Sequence, residues 1–181
     1  REQVCAKEEV GNVAKRAAEL CDGHPMFLAT LGCAAAKLAG GRLFTPALLR
    51  WTVGEITKGR AAIPSGQDRT LFYAHQLEAL NRLDPRRRLF AVSLAAQIAR
   101  LTTPEYPWVP NTRIFEQCGL REFGKEQELL AGLRDLETAS VISREMGKGM
   151  SRIRVPITAE CLREDASEQI EECRSKLRDL A

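Results

Sequence analysis

Histidine is scarce in this chain, and close ligand pairs are missing altogether. Its 181 residues include two histidines, His24 and His75, with neither a Cys-x-x-Cys nor two histidines one helical turn apart. Zinc sites are built from such close pairs, so the sequence predicts no structural metal site. There is no Gly-x-Ser-x-Gly and no Gly-x-x-x-x-Gly-Lys-Ser/Thr, and Gly147-Lys148-Gly149 lacks the loop before it and the hydroxyl after it that a phosphate loop needs. No catalytic residue is nominated on this ground. No apolar run reaches the roughly 18 residues of a membrane span, and Arg1-Glu-Gln is not a secretory start. The expectation is a soluble, intracellular chain with no membrane partner.

Cysteine is present but dispersed, at 5, 21, 33, 118, 161 and 173. A chain of this length buries a core without staples, so reduced thiols packed as small apolar residues are expected over a disulfide framework. Hydrophobic residues make up 44% and charged residues 28%, a globular balance that excludes a fully disordered chain. The length suits one domain or two small ones.

Helix signals fill the first half. Apolar positions at 10, 13, 14, 17, 18, 20 and 21 suit an amphipathic helix, broken by Asp22-Gly23-His24-Pro25. A second helix over about Met26–Leu38 is rich in small residues that let neighbours approach closely, and Gly40-Gly41 ends it. Thr45-Pro46 is a capping hydroxyl followed by a proline at the first helical position, opening a third helix that ends at Lys58-Gly59. The stretch Gly59–Arg69 reads as a loop, Thr70–Leu83 as a fourth helix, and residues 1–83 as a small helical bundle.

From Asp84-Pro85 the grammar changes. An apolar helix over Arg86–Leu101 is followed by an extended link through Pro104, Pro107 and Pro110, then by a short helix over Thr112–Cys118 with Asn111 as its cap. A turn at Gly119–Gly124 leads to a helix over Lys125–Thr138, with Leu129, Leu130, Leu133 and Leu136 as its buried stripe. Val141–Met146, Gly147–Gly149 and Met150–Ile157 read as strand, turn and strand, the second alternating Met150, Arg152 and Arg154 against Ser151, Ile153 and Val155. That order is the grammar of a winged helix over 84–158, with the hairpin as wing and the 125–138 helix in the recognition position. Residues 159–181 form a C-terminal helix that closes or extends the module. The predicted fold class is mainly α, a helical bundle followed by a winged-helix domain with a small β-hairpin wing.

Charge divides the second half further. The 125–138 helix holds two basic and four acidic residues, which disfavours its entry between two rows of phosphates. The wing carries Arg144, Lys148, Arg152 and Arg154 against Glu145, so these four cations, joined by Lys125, are the candidate DNA contacts, with a solvated edge as the plainer alternative. Arg86-Arg87-Arg88 sits at a helix start, where positive charge opposes the macrodipole, and that allows for a bound anion or an acidic partner beside ordinary solvated arginines. His24 stands at a helix-to-helix turn whose backbone amides could face an anion, which makes it a candidate nucleotide contact beside the plainer reading of a turn residue. Trp51, Trp108, Tyr73 and Phe90 read as core or junction residues, with Tyr106 and Trp108 as an alternative exposed contact surface. Residues 1–60 hold nine basic and six acidic residues, 61–155 fourteen and eleven, and 156–181 four and seven, so the net +3 hides a basic body and an acidic terminal helix.

Taken together, the chain resembles the C-terminal part of an AAA+ ATPase, a helical lid followed by a winged helix. One family with that order is the origin-recognition and cell-division-cycle replication initiators. The residues that carry the likeness are Ala17 to Leu28 through Asp-Gly-His-Pro, the Ala-rich Ala34–Leu38, Phe44-Thr-Pro-Ala-Leu-Leu-Arg-Trp through Ile56, Pro85–Leu101, and Leu129–Ile142 with the wing. The resemblance implies an ATPase core, holding ATP and Mg²⁺, outside these residues, a lid closing over the nucleotide, and a winged helix on duplex DNA or on neighbouring subunits of a ring; for a eukaryotic initiator it implies the nucleus. That family's pattern places an arginine just after the glycine of the lid turn, where this chain has His24-Pro25-Met26. The other family is the STAND class of signalling ATPases, to whose Gly-x-Pro-Leu segment Cys21–Gly32 is similar. There the winged helix would act through protein contacts, and His24 and Pro25 would lie near the nucleotide.

Overall fold

The computed structural model describes residues 2–41, 44–61, 63 and 68–180, with side chains described from residue 10 onward. The Cys5 side chain and residues 62 and 64–67 of the expected 59–69 loop lie outside what is described. The chain forms two compact units, Arg1–Phe72 and Tyr73–Ala181. It is mainly helical, with one small antiparallel sheet of three strands.

In the first unit, α1 (Glu2–Cys21) ends where Asp22 and Gly23 both take left-handed backbone angles, at φ 48° and 68°. The Gly23 N–H donates to the Ala18 carbonyl at 2.9 Å, so the stop satisfies a carbonyl that the helix end would leave bare. Pro25 then opens α2 (Pro25–Ala39), whose Phe27, Leu31, Ala34, Ala35 and Ala39 are buried. Thr45 caps α3 (Pro46–Thr57): its hydroxyl accepts from the Leu48 N–H at 3.1 Å, while Leu49, Val53 and Ile56 turn inward. Helix α2 packs on both α1 and α3, and Phe27 meets Phe72 at a centroid distance of 5.2 Å. Trp51 does not join that core. It lies on the outer side of α3, half exposed.

The expected fourth helix divides into α4 (Leu71–Glu78) and a tighter 3₁₀ turn, Ala79–Arg82. Asp84 then caps α5 (Pro85–Leu101), its carboxylate accepting from the Arg87 N–H at 3.0 Å. From Phe90 to Ala99 every residue of α5 but Val92 is buried, which makes it the axis of the second unit. Its most extensive partner is α8 (Pro156–Asp179), which lays Cys161, Leu162, Ala166, Ile170, Cys173 and Leu177 along one stripe. The terminal helix therefore closes the core of the second unit.

Between them lie β1 (Val109–Pro110), α6 (Asn111–Gln117), α7 (Glu126–Thr138), β2 (Ile142–Glu145) and β3 (Met150–Ile153). The sheet order is β1-β3-β2, with Val109 opposite Ser151, Ile142 opposite Ile153 and Ser143 opposite Arg152. The proline-rich link thus contributes an edge strand, a place where missing N–H groups are tolerated. Asn111 departs from its expected role. It is the first residue of α6, its N–H donates to the Gly149 carbonyl and its side chain accepts from the Ser151 hydroxyl, each at 2.8 Å, so it ties the helix to the wing.

Two contacts fix where the helix-turn-helix sits. Gly132 lets α7 approach α5, since a Cβ there would lie 2.8 Å from Leu94 Cδ1 in the closed core. Arg174 of α8 reaches the α6–α7 turn, pairing with Glu122 at 2.8 Å and lying across Gly119, whose φ is 64°. Gly132→Val should cost about 2 kcal/mol by overpacking, read as a lower midpoint in urea with an unchanged slope.

Among the described cysteines, Cys21, Cys118, Cys161 and Cys173 are buried free thiols and Cys33 is exposed. Burial pushes the Cys21 and Cys173 thiols up to about 11. Of these five, Cys33 alone should react promptly with a thiol reagent at pH 8 in the folded protein. In the unfolded chain the thiols ionise near their ordinary value while the folded ones stay neutral, so their contribution to stability is intact below about pH 9 and falls between there and 11. Melting curves across that window check the sign.

Candidate nucleic-acid interface

Helix α7 begins at Lys125, whose N–H donates to the Glu128 carboxylate at 2.9 Å. Leu129, Gly132, Leu133 and Leu136 form its buried stripe, so Gln127, Arg134 and Thr138 are left on the outer side with Leu130 half buried. A recess of about 430 Å³ opens between α6 and α7, lined by Thr112, Phe115, Glu116, Arg121, Glu126 and Leu129.

The negative balance of α7 is largely matched by arginines of neighbouring elements, in pairs that solvent partly reaches. Arg87 pairs with Asp135 through two nitrogens at 2.7 and 3.2 Å. Arg86 meets Glu128 at 3.3 Å, donates to the Phe123 carbonyl and lies over the Phe90 ring at 5.6 Å. Arg144 pairs with Glu137 at 3.2 Å. Three of the four carboxylates in 125–138 thus face arginines from α5 and β2. Within the fold, Arg86 and Arg87 find their carboxylates on α7. Arg88 instead lines a groove between α5 and α8 together with Glu172 and Lys176.

Strand alternation sorts the wing residues. Arg144 stands opposite Ser151 on the inward side, and its side chain is only 8% exposed. Lys148 is exposed at the wing tip and meets Glu145 at 2.7 Å, a pair that solvent screens heavily. Arg152 points to the outer side and lies over the Trp108 ring, 4.7 Å from its centroid. Arg154 is exposed, just past β3.

No protein-family model, curated protein or solved structure matches the chain.

Lys125 and the wing residues thus belong to one unit, while His24 and Pro25 belong to the other. His24 occupies the position before α2, half buried, with its ring stacked on Phe27 at 4.3 Å, and Pro25 is the exposed first residue of that helix. Sequence reasoning passed over Arg113 and Arg121 and gave Arg134 no role. All three are exposed on the 111–138 segment and, like Lys125, make no ion pair among the described residues. A count of signs along the chain could not single them out, because which acids are already matched depends on contacts 42 and 48 residues apart. Among the described residues no three His, Cys, Asp or Glu side chains gather as a metal site requires.

Arg87 and Asp135 should couple by about 1 kcal/mol in a double-mutant cycle of Arg87→Ala and Asp135→Asn, because Asp135 is only 13% exposed and the pair is two-pronged. Urea melts of the four proteins give that value directly.

Proposed function

We propose that this chain is the lid and winged-helix part of a DNA-replication initiator subunit. Its winged-helix unit grips duplex DNA by the phosphates and meets neighbouring subunits of a multi-subunit ring. The observation that carries the reading is the internal matching of Glu128, Asp135 and Glu137, which leaves Arg113, Arg121, Lys125 and Arg134 outward with Glu116 and Glu126 as the opposing acids. A segment counted as repulsive to DNA thereby presents a positive surface, as phosphate binding needs. Lys148 adds a cation at the wing tip that phosphate can draw from its exposed partner. ATP and Mg²⁺ belong to an ATPase core outside these residues, over whose nucleotide the first unit would close, with His24 and Pro25 at the start of α2 as its contacts.

A second reading, the regulatory region of a STAND-type signalling ATPase acting through protein contacts, draws on a different observation. Arg144 is buried against Glu137, which removes one wing cation from any external phosphate.

Fluorescence anisotropy with random duplex DNA across a salt series separates the two. Four phosphate contacts give a slope of log affinity on log salt near −3.6, about a hundredfold loss from 50 to 200 mM. Replacing Arg113, Arg121, Lys125 and Arg134 together with Ala should flatten the slope by about 3.6 units. Absence of binding at low salt would sink the initiator reading and leave the signalling one.

A further inference from the structure

The outer face of the wing sheet holds a cation in an unusual state. Register places Trp108 on β1's approach beside Arg152 on β3, and Ser143 opposite Arg152 on β2. The guanidinium carbon is 4.7 Å from the Trp108 centroid. Its Nε is buried without an acceptor, although the residue as a whole is half exposed. The wing carboxylate Glu145 is engaged by Lys148 at 2.7 Å. Arg152 therefore differs from every other arginine of this hairpin and of α5's first turn that meets a carboxylate. It is held in place by an aromatic face and keeps its charge.

An arginine stacked on tryptophan loses part of its rotamer freedom before any ligand arrives, while its planar fork stays directed by the ring. Ordering a long side chain in advance lowers what binding must later spend on it. Neutralisation by a carboxylate would have fixed the side chain equally well, but it would also have cancelled the charge. The stack fixes without cancelling.

We propose that Trp108 is a positioning residue that presents the Arg152 guanidinium, through its Nη nitrogens, to a phosphate of the duplex backbone. This rests on the DNA-binding reading above and assigns the wing's principal contact to its outer face. Tyr106, 76% exposed, flanks the same approach to β1.

The test is a salt series of duplex binding by the full chain and by W108A, W108F, R152A, R152K and the W108A/R152A double variant, each first shown to melt cooperatively. R152A should reduce the magnitude of the salt slope by about 0.9, the share of one phosphate. W108A, which keeps the full charge, should lose most of that same increment, and the double variant should lose no more than R152A alone. W108F should retain the parent slope because it keeps an aromatic face, whereas R152K should resemble W108A. A purely structural tryptophan would lower the melting temperature but leave the slope of the folded protein untouched. Parent-like slopes for a folded W108A, or additive losses in the double variant, overturn this inference and leave the DNA reading standing. If the parent chain shows no salt-dependent binding, both fall.

Discussion

The second unit is organised by a helix that has no outside. A run of ten residues in α5 with only Val92 escaping full burial cannot be accommodated by one neighbour, so it requires α7 on one side and α8 on another. Removing apolar surface from water on several sides at once is the dominant stabilising term available here. The sheet and the helix-turn-helix are then placed by what α5 leaves free. Gly132 is a local consequence: only a residue without a side chain brings α7 as near as the packing of Leu94 demands.

Electrostatics follow from that placement. Because α5 crosses beside α7, its first turn meets α7's carboxylates, and the positive residues at a helix start that would otherwise oppose the macrodipole gain partners. The same arginines thus relieve strain at one helix and remove repulsion at another. The wing works differently, with Arg144 absorbed into the fold and Arg152 stacked outside it. Two residues of one type on one hairpin, eight positions apart, serve opposite ends because strand alternation sends them to opposite faces.

Legibility in the sequence tracked the range of the interaction responsible. Thr45-Pro46, Asp84-Pro85 and the Asp22-Gly23-His24-Pro25 break act over three or four residues, and their caps and left-handed turns stand where the sequence put them. The alternation of β3 was equally readable, since period two is a local property. Strand β1 was not, because two residues between prolines become a strand only through pairing with residues 150 and 151. Asn111 misled for the same reason: its side chain has a distant hydroxyl to bind and no need to cap. Trp51 carried no local sign of exposure, and the unmatched cations of residues 111–138 were hidden behind pairings that join α5 to α7 and β2 to α7.

Arg174 sets an order of events. The turn between α6 and α7 takes its left-handed glycine under a guanidinium 55 positions later, paired with Glu122 across a separation of 52. Closing a loop of that length costs chain entropy, so this contact depends on the packing of α8 on α5 to bring its partners together. During synthesis the helix-turn-helix would emerge with its supporting arginine still inside the ribosome, and its final geometry would wait for α8 to dock. The turn before α7 is thus held by the last helix of the chain, so loss of α8 would leave Glu122 and the left-handed Gly119 without their support.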